Sequence, residues 1–315
     1  MAKVIKPTVE LEEDVYSFTP ADNGAGPTWC HGSTTLVRSG AQLFATGLET
    51  IPGAKPLNNC RWTLWRREDQ GAGWERLYTD PTERTREPSP LACFDDGRAY
   101  VSVNPTRAPL DDYAGPSEPL VLEFSMRTPQ AGFTTLKPAW AGDTRFTEHS
   151  YRTFVADGRR GELLLLQNEY YDLAHWCFRD RTGAWSATGQ LVWPWGKDYA
   201  EPRAMRLCYP NVAMVNRAVY FFGVSDIEEP NPAFRDFKFQ LTGRKWDYDF
   251  RRLFYSWTPD VTTQPFHAWL ELASRERTCG WLSTCDLYAQ DDGLVHLLWH
   301  DKSCDVRLRE KFFPG

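Results

Sequence analysis

Five short segments hold most of the side chains in this sequence that could do chemistry. They are Trp29-Cys30-His31, Arg84-Thr85-Arg86-Glu87, Glu148-His149-Ser150-Tyr151-Arg152, Arg206-Leu207-Cys208-Tyr209-Pro210-Asn211 and Arg275-Glu276-Arg277-Thr278-Cys279-Gly280-Trp281. Histidine, tyrosine and arginine recur among them, a combination that suits an anionic sugar. Arginines such as Arg86 and Arg152 can hold a carboxylate bidentately, while Trp29 or Trp281 can stack on a sugar face. Cleavage beside a uronate by β-elimination needs the carboxylate neutralised, the weakly acidic neighbouring proton removed, and the leaving oxygen protonated. A neutral histidine or an ionised tyrosine can take the proton, and either residue type can supply one. His31 is placed by position alone as a second acid–base or binding group. Hydrolysis instead calls for a carboxylate pair, which Glu87, Glu148 and Asp286 could furnish. The plainer readings are that His149 bonds backbone at the edge of a sheet, Tyr151 packs between sheets, and Arg152 pairs with Glu148 or Glu87.

Each segment stands just before a recurring unit: a short apolar run, a polar turn, then a longer alternating run. The unit appears at Thr35–Val37 with Ala41–Thr46, Leu91–Phe94 with Arg98–Val103, Thr153–Ala156 with Glu162–Gln167, Val212–Val215 with Ala218–Val224, and Asp286–Ala289 with Leu294–His300. β-rich runs around turn residues read as hairpins. Further strands follow at Arg61–Arg66, Leu120–Phe124, His175–Arg179 and Leu253–Trp257, then aromatic-ended ones at Trp74–Tyr78, Phe133–Leu136 and Trp185–Ala187. Four antiparallel strands recurring about every 55 to 75 residues predict an all-β propeller. In that architecture the entrances of the innermost strands ring one mouth of the central channel, so the five segments converge.

The sequence predicts a single domain over residues 1–315. An insertion at 232–241 places Phe234, Phe237 and Leu241 on one helical face and predicts a short capping helix. The last unit reads as three strands, and Thr8–Phe18 could supply its missing outer strand and close a five-bladed ring. The competing expectation is an incomplete larger ring.

Composition narrows the classes. The chain has 315 residues with Trp 14, Tyr 13, Phe 18, Gly 22 and Pro 22, and these are spread along it, which excludes disorder, collagen and coiled coil. A net charge of −6 argues against nucleic acid as partner. No apolar stretch reaches the length of a membrane span. The 27 Arg against 9 Lys fit carboxylate recognition, and a GC-rich genome would give the same skew. Eight cysteines show no CxxC pair and no zinc spacing, so neither metal nor other cofactor is expected. No signal peptide is visible, and the expected location is cytoplasmic, or secreted or periplasmic if a signal was removed. His296 and His300 fall in a strand pattern as packing or edge residues, and His175 and His267 look peripheral.

Two motifs carry a family resemblance. Asp69-Gln70-Gly71-Ala72-Gly73-Trp74 resembles the Asp-box, D-x-G-x-x-W, of sialidase-like BNR-repeat propellers, and Asp180–Trp185 is a shifted version. The leading Ser or Thr of the pattern is Arg67 and Arg179 here. His149-Ser150-Tyr151-Arg152 resembles the HSY-[RP] segment of BNR-repeat propellers that act on uronate polysaccharides, the ulvan lyases and rhamnosyl-glucuronate-cleaving lyases. Tyr209-Pro210-Asn211 is similar to the next inner-strand entry of that group. The resemblance implies a polysaccharide lyase, with His149 as base or carboxylate neutraliser and Tyr209 as proton donor or shuttle. From their places at the first-strand entries, Arg86, Glu87, Tyr151, Arg152, Asn211, Trp29 and Trp281 would bind the substrate, the Arg86 role resting on position alone. A glycoside hydrolase on the same scaffold and a non-catalytic glycan-binding propeller are the alternatives. A sialidase proper is disfavoured because its arginine triad and Tyr-Glu pair are not evident in the sequence. Members of the group generally have seven blades, and five units are countable here.

Overall fold

The computed structural model describes residues 8–29, 33–68, 73–149, 151–169, 171–197, 199, 201–225, 229, 231–244, 249–275 and 279–314. The first blade is β1 (Leu36–Ser39), β2 (Gln42–Thr50), β3 (Cys60–Glu68) and β4 (Glu75–Thr79). The second is β5 (Leu91–Cys93), β6 (Arg98–Val103), β7 (Leu120–Ser125) and β8 (Thr134–Leu136). The third is β9 (Arg152–Asp157), β10 (Glu162–Glu169), β11 (Leu173–Arg179) and β12 (Trp185–Val192). A small ribbon, β13 (Trp195–Gly196) and β14 (Arg203–Ala204), leads into the fourth blade. That blade contains β15 (Leu207–Val215), β16 (Ala218–Ser225), the inserted helix α1 (Pro232–Thr242), β17 (Leu253–Thr258) and β18 (Leu270–Ala273). The chain finishes with β19 (Trp281–Ala289), β20 (Val295–Lys302) and α2 (Val306–Phe312).

Each of the four blades is a sheet whose strands pair in chain order, all antiparallel. Together they form the β-propeller that the repeat predicts. The inner strands β1, β5, β9, β15 and β19 all contribute to one central cavity of about 350 Å³, through Val37, Leu91, Phe154, Ala213 and Leu287 among others. Blades are glued by the alternate faces of their strands. Leu164, Leu166, Trp176 and Phe178 of the third blade pack on Leu207, Val212, Met214 and Phe221 of the fourth. Leu163, Leu165 and Cys177, from the opposite face of the third, pack on Ala92, Phe94 and Tyr100 of the second. With both faces covered, β10 is buried along its whole length, which is why Glu162-Leu-Leu-Leu-Leu-Gln167 reads as a near-continuous apolar run.

Turn chemistry holds the outer edges. Asp180 accepts from the Thr182 and Ala184 amides at 2.8 and 3.2 Å, and Gly183 supplies the positive φ of +90° that the bend needs. These bonds hold the exposed Asp180 carboxyl down to about 2, the Thr182 hydroxyl contributing most. The first Asp-box segment, Asp69–Ala72, lies outside the described residues.

The closing unit corrects two expectations. It has two strands, because the chain after Lys302 turns at Asp305, which caps α2 by accepting from Arg307 N at 2.9 Å, instead of returning as a third strand. Helix α2 packs on α1 through Phe312 against Phe234, with ring centroids 4.3 Å apart, so the apolar face predicted at 232–241 meets a helix. Thr8–Phe18 forms no strand of the closing unit. It lies on the first blade, where Tyr16 stacks on Trp65 at 5.4 Å and its hydroxyl accepts from Leu48 N at 3.1 Å. Gly47 permits this approach, since a Cβ there would stand 2.6 Å from the Tyr16 ring. No described helix is long and apolar enough to cross a membrane.

Candidate active site

In an antiparallel four-stranded blade, the start of strand one and the turn between strands two and three lie on the same face. The loops entering β5, β9 and β15 therefore meet the hairpin turns of neighbouring blades. His149 sits in the turn just before β9, with Tyr151 N donating to its carbonyl at 3.1 Å. Its Nδ1 lies 2.6 Å from Nη1 of Arg86, which comes from the loop before β5. A guanidinium can only donate, so Nδ1 must accept and the ring carries no proton there. The same Nη1 donates to Glu87 Oε1 at 3.2 Å, and Arg86 Nε donates to the Asn23 carbonyl at 3.0 Å. Burial, then the positive charges of Arg86 and Arg206, push the His149 pKa down to about 3. The imidazole is thus neutral throughout the physiological range.

Aromatic rings continue the cluster. Tyr151 stands edge-on to His149 at 5.5 Å and lies 5.1 Å from the ring of Tyr209. Trp29 meets Tyr209 edge-on at 5.5 Å. Arg206 lies over both Tyr151 (5.5 Å) and Tyr171 (4.2 Å), and Arg251 lies over Tyr209 (5.5 Å). Tyr209 takes a left-handed φ of +52°, its carbonyl held by the Thr284 hydroxyl at 2.9 Å. Burial raises the Tyr151 pKa well above the usual phenol value, the neighbouring Cys208, Tyr209 and Glu87 add to the rise, and Arg206 opposes it. Tyr151, Tyr209, Glu87, Arg86, Arg206 and Arg251 are buried, so a neutral phenol, a carboxylate and three guanidiniums lie together beneath the face at which half-buried His149 and Trp29 and exposed Tyr171 stand.

The structure therefore brings together Arg86, Glu87, His149, Tyr151, Tyr209 and Trp29. Arg152 is buried in the channel wall, donating from Nη2 to the Pro88 carbonyl at 2.7 Å while its own carbonyl accepts from Ser33 Oγ. Asn211 bridges β15 to β19 by donating to the Cys285 carbonyl at 3.3 Å. Trp281 packs within its own hairpin, edge-on to His300 at 5.2 Å and under the Lys302 ammonium at 3.9 Å. His31 lies outside the described residues. Of the three carboxylates considered for hydrolysis, Glu87 is in the cluster. Glu148 instead accepts from Gly115 N at 3.2 Å, and Asp286 accepts from Leu287 N at 2.8 Å. His175, peripheral by sequence, is buried and 2.7 Å from Glu169. His296 and His300 lie on exposed β20.

Tyr171, Arg251 and Asn23 are site residues the sequence reading passed over. Tyr171 and Arg251 lie in connections between second and third strands, whereas attention to the starts of first strands finds only half of the loops on this face. Among the described residues no group of three or more His, Cys, Asp or Glu side chains is placed to hold a metal. The seven described cysteines are all free thiols.

No family model matches this sequence, and no curated protein does. Solved structures show distant likenesses of chain path. A sialidase from Trypanosoma rangeli in complex with sialic acid is 10% identical, with a TM-score of 0.46, over 84% of this chain and 42% of that one. An α-L-arabinofuranosidase from Fusarium graminearum is 12% identical, with a TM-score of 0.45, over 83% and 67%. A GH43 β-1,3-galactosidase is 8% identical, with a TM-score of 0.38, over 82% of this chain, which spans 50% of its length.

Proposed function

We propose that this propeller is a carbohydrate-active enzyme that takes an anionic sugar into the His149 mouth and hydrolyses its glycosidic bond. The observation that carries the reading is geometric: Tyr151 lies under the Arg206 guanidinium at 5.5 Å and 5.5 Å from the His149 ring, whose Nδ1 is met by Arg86, itself paired with Glu87. Tyrosine serves as nucleophile in some retaining glycosidases. Here the Tyr151 hydroxyl would attack the anomeric carbon, passing its proton to Glu87 as the C–O bond to the leaving group breaks. Tyr209 would protonate the departing oxygen. Water, giving its proton to the resulting Tyr209 phenolate, would then attack the anomeric carbon as the bond to Tyr151 breaks and Glu87 returns the proton to the Tyr151 oxygen. Arg206, which also lies over the exposed Tyr171, would hold the sugar carboxylate, for which guanidinium is the best-matched side chain. Buried Arg251 braces Tyr209 and donates to the Ser225 carbonyl at 3.1 Å.

A second reading, β-elimination at a uronate, is favoured by one observation: His149 is neutral, the state a general base requires. Against it, the Nδ1 lone pair is already occupied by Arg86. The two readings separate in one assay of the full chain on uronate-containing glycans. New reducing ends without ultraviolet absorbance indicate hydrolysis, and new ends with absorbance of the unsaturated product indicate elimination. Binding with neither product would overturn both in favour of a binding propeller.

A further inference from the structure

A second cavity of about 350 Å³ opens between the connection leaving β12 and the outer strands of the fourth blade. Its lining includes Trp195, Trp269, Lys197, Arg252, Glu271 and Met205. Trp195 is 59% exposed, an unusual state for the largest apolar side chain, and it stands at the wall of a concave site. Trp269 is held rigidly opposite by its indole N–H, which donates to the Val192 carbonyl at 2.8 Å, and by the rings of Trp193 and Phe221 at 6.0 and 5.4 Å. Arg252 lies 3.9 Å from Glu271 and the same distance from the Met205 sulfur, so its guanidinium is oriented in the wall.

Two adjacent residue pairs tie this cavity to the mouth described above. Met205 lines the cavity while its neighbour Arg206 lies over Tyr151 and Tyr171. Arg252 lines the cavity while its neighbour Arg251 lies over Tyr209. At both places consecutive residues, just ahead of β15 and of β17, divide between the cavity and the mouth, so the two sites adjoin along these loops.

We propose that this cavity is a distal glycan subsite that binds one sugar residue of an anionic chain, another residue of which, further along the chain, occupies the His149 mouth. Trp195 supplies a flat apolar face for the CH groups of a pyranose, Lys197 and Arg252 supply cations for a carboxylate or sulfate, and Glu271 accepts from a hydroxyl. The size sits at the small end of ligand sites, about 300 to 1,000 Å³, room for a single sugar. The proposal rests on the anionic-glycan reading for its substrate, yet its test is separable from that reading.

The test uses the full chain, uronate oligosaccharides of increasing length, and Trp195→Ala with Lys197→Gln as a second variant. Both substitutions are at exposed positions and leave the mouth untouched. In kinetics, the variants should raise KM about tenfold for long chains and leave KM for the shortest cleaved substrate and kcat unchanged. Equal KM values for wild type and Trp195→Ala at every length would overturn the subsite. If no glycan is turned over, binding of the same oligosaccharides read by tryptophan fluorescence decides alone. A quench lost in Trp195→Ala supports the subsite while the catalytic reading fails, and a quench unchanged in the variant overturns the subsite.

Discussion

Arg86 points a charged N–H at the Nδ1 of His149 over 2.6 Å, so the histidine is held as an acceptor by a cation that can never give up its proton. The sign of the linkage follows. A histidine with a depressed folded pKa binds its proton in the unfolded chain first, so its contribution to stability is present above the ordinary value near 6.5. That contribution is lost as pH falls toward about 3. Denaturant midpoints of wild type and His149→Gln at pH 7 and pH 5 should show the smaller acid loss in the variant. By NMR, the His149 ring should not titrate between pH 5 and 8, and Arg86→Gln should move its pKa upward. A wild-type His149 titrating near 6.5 would contradict the arrangement.

Tyr151→Phe removes one oxygen from a ring that packs at 5.1 Å on Tyr209 and leaves its volume intact. If Tyr151 is the nucleophile, hydrolysis falls by roughly a hundredfold or more while substrate binding persists. Glu87→Gln should lower kcat through the lost proton acceptor. Turnover of Tyr151→Phe at the wild-type rate would return the chemistry to His149, and His149→Ala is the matching control.

Phe178 is fully buried where the third blade meets the fourth, with the Arg217 guanidinium 5.7 Å over its ring. Phe178→Ala should cost about 3 to 5 kcal/mol in urea unfolding, whereas Val192→Ala, on an exposed position of β12, should stay within about 0.5 kcal/mol. Similar losses at both sites would mean the blade interface is not a packed core.

Asn231 caps α1 by accepting from Ala233 N at 3.0 Å. Asn231→Ala should lower stability by about 1 kcal/mol, and Asn231→Asp should restore most of it, measured by thermal unfolding. Loss of the whole α1–α2 pair is expected from Phe312→Ala, because that ring touches Phe234, Phe237 and Phe250 together.

These elements also show what can be read from the residues. Strand alternation around turn residues marks all four blades, and the 3.6-residue spacing of Phe234, Phe237 and Leu241 marks α1, because both periods reflect one buried face. Helix α2 is seven residues long, too short for a period to declare itself, so the last unit reads by sequence as three strands where the structure has two and a helix. The first-strand entries point correctly to His149, Tyr151 and Tyr209 as neighbours. Tyr171 and Arg251 carry no such mark: each is an ordinary loop residue until the antiparallel order of the blade places it on the same face. Pairings such as Arg86 with His149, 63 residues apart, depend on how the second blade packs beside the third, which no local pattern records.

The central cavity is walled by Val37, Leu91, Phe154, Ala213, Met214 and Leu287 from all five inner strands. The same strands lead into a second cavity of about 470 Å³, which shares Ala156, Met214, Val215, Tyr288 and Ala289 and is lined by Asp95, Asp157, Arg159, Arg160 and Asp291. Those charged residues lie at the turns between first and second strands, on the face opposite the His149 cluster, and Arg159 pairs with Asp291 across them at 2.9 Å. The two ends of the ring thus differ in kind: aromatic rings and guanidiniums gather at one, and ion-paired hairpin tips at the other.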